Sequence, residues 1–80
     1  MVGGETPYRM LQKAIGTRIK VQLKDLEIYE GKLVKMETSE HGLLGNILLE
    51  NAKKVNHYEE FLGLLLLRGN HISIIYLQEI

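Results

Sequence analysis

The run Leu64-Leu65-Leu66-Leu67-Arg68-Gly69-Asn70-His71-Ile72-Ser73-Ile74-Ile75-Tyr76 limits this chain most. Leu64 to Leu67 has no polar position, so a strand through it has no wet face. In a regular strand Ile72 and Ile74 point one way and Ser73 and Ile75 the other. Strands apolar on both faces need cover on both sides. A chain of 80 residues has little left to provide the second cover. The pivot between the two runs carries one cation, one glycine and one amide. The whole stretch reads as an assembly edge with a ligand-facing turn in its middle.

The length sets one domain, residues 1–80. A domain this small buries only about 60% of its unfolded-chain surface, so its core is marginal alone. With no cysteine to staple it, oligomerisation is the remaining support. The lack of cysteine fits a reducing compartment, and the expected location is cytoplasmic. Ten basic and ten acidic side chains cancel. A nucleic-acid partner would therefore need a local field rather than a basic surplus. No apolar run is long enough for a membrane helix, and Met1 to Glu5 does not resemble a signal peptide.

Residues 1–5 are expected to form a flexible arm. Thr6-Pro7 is a helix start, with Thr6 as N-cap and Pro7 at the first helical position. Tyr8, Leu11 and Ile15 follow helical spacing, and Gly16 is placed to end the helix in a left-handed conformation. The predicted helix covers 6–16, with five strands over 17–77. Ile19, Val21 and Leu23 alternate with charged and amide residues in the first strand. The turn is Lys24 to Glu27. Ile28 to Met36 is the second strand, bent at Gly31 where the alternation slips. Leu43 to Glu50 is the third. Asn51 to Asn56 reads as a polar connection with Lys53 and Lys54 at its tip. His57 to Leu67 and His71 to Leu77 are the fourth and fifth. The fold class is all-β with a short N-terminal helix, a small and strongly bent five-stranded antiparallel sheet.

With this plan the chain resembles the Sm/LSm family of RNA-binding ring proteins. The resemblance runs from about Tyr8 to Tyr76. The first family motif is matched by Gly16, Ile19, Val21, Leu23-Lys24, Tyr29, Gly31, Leu33, Asn46, Leu49 and Ala52. The second is matched by Leu66-Leu67-Arg68-Gly69 and Ile72. The bacterial branch carries Lys-His in the second motif; this chain has Arg68-Gly69. Taken alone, Gly69-Asn70 could be a two-residue hairpin turn. The resemblance implies instead that strands four and five are both open edges, pairing between subunits. Unpaired edges this apolar would otherwise aggregate. Lacking long tails, the chain is most similar to the archaeal homo-oligomers, which implies a homo-heptameric ring.

The resemblance also implies a single-stranded, uridine-rich RNA site at Asn46, Arg68, Gly69 and Asn70. The Asn46 amide would read a uracil edge and the Arg68 guanidinium would stack on the base. Around a ring, one cation per subunit concentrates positive potential even at zero net charge. The chain departs from the family in four places. Asn70 stands where Asp is usual, and Leu44 stands where a stacking side chain is usual. The loop from Glu37 to Gly45 is long; its His41 could swing in as the missing stacking partner. Leu26 occupies a turn position that normally holds Gly or Asn.

Other chemistries lack support. His41, His57 and His71 have no metal-ligand spacing. Ser39 and Ser73 have no partner base, and Glu59 and Glu60 point to opposite faces of a strand. Neither an enzyme nor a cofactor is expected. Lys53-Lys54 reads as a solvated loop. The competing reading is an oligomeric protein-binding scaffold with weak or lost RNA binding, motivated by Leu44 and Asn70. Further partners would be other RNA-processing proteins.

Overall fold

The structure, a computed structural model, describes residues 6–38 and 44–77. Helix α1, Pro7–Lys13, begins where the sequence places it: the Thr6 side chain accepts the Arg9 N–H at 3.1 Å. It stops earlier than expected, with Ala14 as its C-cap. Gly16 does take a left-handed φ of 96°, but inside the turn that follows. Its N–H donates to the Leu33 carbonyl at 2.8 Å, and Leu33 N–H donates to Thr17 at 2.9 Å. The sheet therefore claims the backbone groups that a longer helix would need.

Five strands follow: β1 Arg18–Leu23, β2 Ile28–Thr38, β3 Leu44–Lys54, β4 Glu60–Leu67 and β5 Ile72–Tyr76. Their order across the sheet is β4-β3-β2-β1-β5, and all pairings are antiparallel. So β4 and β5, adjacent in sequence, lie at opposite edges. The two-residue hairpin is excluded, and a short 3-10 turn, Gly69–His71, joins them.

The core is formed by Leu11, Ile19, Val21, Leu33, Ile47, Leu49, Ala52 and Leu67. A fully buried aliphatic side chain contributes about 1.5–3 kcal/mol relative to exposure. Gly31 sits at the bend of β2. A Cβ there would lie 3.1 Å from Ala52 Cα and 3.1 Å from Leu49 Cβ. The glycine lets β3 cross β2 at close range, and the β2–β3 register shifts beside it. Leu26 has φ 74° in the β1–β2 turn, a left-handed conformation that a residue with a side chain rarely adopts.

Three expectations need correction. β3 does not end at Glu50 but continues to Lys54, past a left-handed Asn51 (φ 53°). Lys53 and Lys54 are thus strand residues, paired with Phe61 and Glu60 on β4, not the tip of a loop. Lys53 Nζ meets Glu59 at 3.0 Å and Glu30 at 3.8 Å, and Lys54 is bonded to Glu27. β4 begins at Glu60, because His57 has φ 72° and breaks the extended backbone before it. In β5 the core side is shared by Ile72 and Ile75, not Ile72 and Ile74. The β1–β5 register shifts between Gln22 and Leu23, so Ser73 is an extra residue that turns the pattern over. Phe61 (71%), Leu64 (68%) and Leu66 (60%) leave β4 with an exposed apolar face. Leu65 and Leu67 on the same strand face the core.

Candidate nucleic-acid interface

The 3-10 turn brings β3 and the β4–β5 junction together. Gly69 N–H donates to Asn46 Oδ1 at 3.2 Å. The approach is possible only without a side chain at 69: a Cβ would lie 2.3 Å from the Gly45 carbonyl oxygen and 2.6 Å from that of Leu44. Gly45 in turn rests on β2, where a Cβ would lie 2.7 Å from the Glu37 carbonyl oxygen. Three backbones therefore stack with no side chain between them. They hold the Asn46 amide half-buried, its oxygen engaged and its NH2 without a hydrogen-bond partner among the described residues.

Arg68 caps the turn from an extended backbone, and its carbonyl accepts the His71 N–H at 3.0 Å. Its guanidinium is exposed and pairs with no described residue. Asn70 is also exposed. The His71 carbonyl accepts the Lys24 N–H at 2.8 Å, which anchors the turn to the end of β1. Of the residues predicted as one site, Asn46 and Gly69 meet across 23 positions, Arg68 and Asn70 flank Gly69 in sequence, and Asn70 lines a different groove from Asn46.

Leu44 is in this neighbourhood but serves another surface. It packs against the core and lines a groove of about 690 Å³ with Tyr8, Leu11, Gly69, Asn70 and Ile75. Asn46 opens instead onto a depression of about 230 Å³ with Lys35, Met36, Glu37, Leu48 and Leu66. The amide and Leu44 therefore do not share a depression. His41 lies outside the described residues. Lys35 and Glu37 were missed by sequence reasoning. The available signal was their place two positions apart on β2, but a bulge after Leu33 hides which face they take.

Among the described residues no group of three His, Cys, Asp or Glu side chains is placed to hold a metal ion. No helix among them is long and apolar enough to cross a membrane.

Residues 9–77 match the family model of the LSM domain. The SmAP1 heptamer of P. aerophilum is similar at 26% identity and a TM-score of 0.76, covering 94% of this chain and 96% of that one. The SmAP (LSm) protein of Methanococcus vannielii is 30% identical with a TM-score of 0.73, over 95% of this chain and 100% of that one. The Sm protein of Pyrococcus abyssii, solved in complex with a uridine heptamer, shares the fold at 21% identity and a TM-score of 0.74, over 92% and 100%. No curated protein matches the chain. The matched motifs, the five-stranded order and the helix at the front are those of one family, and this chain belongs to it: the Sm/LSm proteins, in their archaeal form.

Proposed function

We propose that this protein is a non-catalytic subunit of a homo-heptameric ring that holds single-stranded, uridine-rich RNA during RNA processing or turnover in the cytoplasm. The observation that carries the reading is the Asn46–Gly69 hydrogen bond beside an exposed Arg68 that has no partner among the described residues. The bond fixes an amide that can read a base edge, and the arginine offers a flat cation for stacking. RNA readers use this combination on splayed single-stranded bases. The ring is supported by two apolar edges at opposite sides of one sheet and by the heptamer formed by the P. aerophilum relative. The uridine preference is supported by the shared fold of the protein that holds a uridine heptamer.

A protein-binding scaffold without RNA is the second reading. Leu44 favours it, because its side chain opens onto a different groove and gives a base no second stacking face. Light scattering with and without oligo(U), together with fluorescence anisotropy on labelled oligo(U), separates the two. A ring that binds oligo(U) supports the first reading; a ring that ignores it supports the second; a monomer overturns both.

A further inference from the structure

The depression beside Asn46 has a layout that base reading alone does not use. In the sheet register Lys35 is opposite Leu48, and Leu48 is opposite Leu66. These three make one row across β2, β3 and β4 on the face away from the core. Two positions along β2 and β3, Glu37 and Asn46 line the same depression, and Arg68 follows the last residue of β4. Neighbouring strands are about 5 Å apart, and Lys35, on the strand next to Asn46, lines the same depression. Met36 and Leu48 give the depression an apolar floor, and Leu66 closes its β4 side.

Lys35 also differs from the other cations of β2 and β3. Lys32 is held by Glu50 at 3.6 Å, and Lys53 and Lys54 are each engaged by carboxylates. Lys35 is exposed and makes no ion pair with any described residue, even though Glu37 lines the same depression. An ammonium with no ion pair among the described residues, over an apolar floor and next to a fixed amide, suits a phosphate attached to a base. The Glu37 carboxylate would repel that phosphate, so the polynucleotide backbone is directed to the Lys35 side.

We infer that Lys35 forms a phosphate subsite next to Asn46, so that each subunit takes a whole nucleotide, its base on Asn46 and Arg68 and its phosphate on Lys35. The inference rests on the RNA-binding reading and adds to it a charge-dependent contact outside the motif residues.

The test uses the assembled protein and three ligands: uridine, uridine 5′-monophosphate and heptauridylate. The wild type should bind the monophosphate several-fold more tightly than uridine. Lys35→Gln should abolish that difference and weaken heptauridylate several-fold. It should also flatten the salt dependence by about 0.7 log units per log unit of salt for each subunit engaged, the single-strand value for one phosphate. Preference for U over C should be unchanged, because the base contacts remain. Lys20→Gln removes the same charge from a separate depression near Tyr76 and should leave the slope as it was. If Arg68→Ala loses binding while Lys35→Gln keeps the wild-type slope and the monophosphate preference, the subsite is overturned and the RNA reading stands. If the wild type ignores heptauridylate, both are overturned.

Discussion

The Gly69 N–H is tied to the Asn46 side-chain oxygen at 3.2 Å across 23 positions of sequence, and the Gly45 backbone lies against the side of Gly69 where a Cβ would stand. Either partner is therefore needed for the other's position. Asn46→Ala leaves a half-buried N–H without an acceptor, which costs about 1–3 kcal/mol. Gly69→Ala forces a Cβ into the Gly45 and Leu44 carbonyls, and overpacking of this kind also costs about 1–3 kcal/mol. Both variants should lower the urea midpoint. Asn46→Ala should in addition reduce the preference of the ring for oligo(U) over oligo(C).

Arg68→Ala removes an exposed side chain with no described partner. Stability and ring mass should be unchanged. Loss of base stacking, worth roughly 1–3 kcal/mol per base, should abolish most oligo(U) binding. Anisotropy titration on a variant whose mass by light scattering equals that of the wild type checks this; wild-type affinity would remove Arg68 from the site.

Leu66 is exposed in the single subunit, on the edge strand β4. If that edge joins the next subunit, Leu66→Asp places an unpaired charge in a desolvated contact. The expected result is dissociation of the ring with retained β-sheet circular dichroism. A variant that keeps the wild-type mass would move the interface elsewhere.

Two groups tie stability to alkaline pH. Burial, with Glu27 nearby, raises the Tyr29 pKa above its ordinary 10.0, and the hydrogen bond to Glu27 raises that of Lys54 above 10.5. In both cases the folded state holds its proton more tightly than the unfolded chain. Their contribution is complete below pH 10 and is lost as the pH rises through the folded-state values. Urea midpoints should hold from pH 8 to about 10 and then fall. Tyr29→Phe should lessen the fall, and a flat profile to pH 11 would refute the linkage.

Much of this was readable in the chain because period-two alternation is plain where one face is buried. β1 and the half of β2 before the bulge followed it, and Gly31 announced the bend. Two of the readings that failed share a cause. At Asn51 and between Gln22 and Leu23 the pairing shifts, and a shift reverses which side chains face the core. Lys53 and Lys54 looked like loop residues because their carboxylate partners are supplied by Glu27, Glu30 and Glu59, which a local window does not connect. The residues of the candidate site were named from motif likeness alone. Leu44 and Asn46 open onto different depressions where the β2–β3 register shifts between Met36 and Thr38, which no spacing reveals.

The bend at Gly31 reaches beyond one subunit. β4 and β5 are the two ends of a single curved sheet, so subunits that join edge to edge do so head to tail. Each addition then turns the growing chain by the angle between those ends. Where that angle divides a full circle, growth stops by meeting its own start; where it does not, growth continues as a fibre. The missing side chain at position 31 lies where the β2–β3 register shifts, so a side chain added there would press on that crossing and on the angle that any such closure depends on.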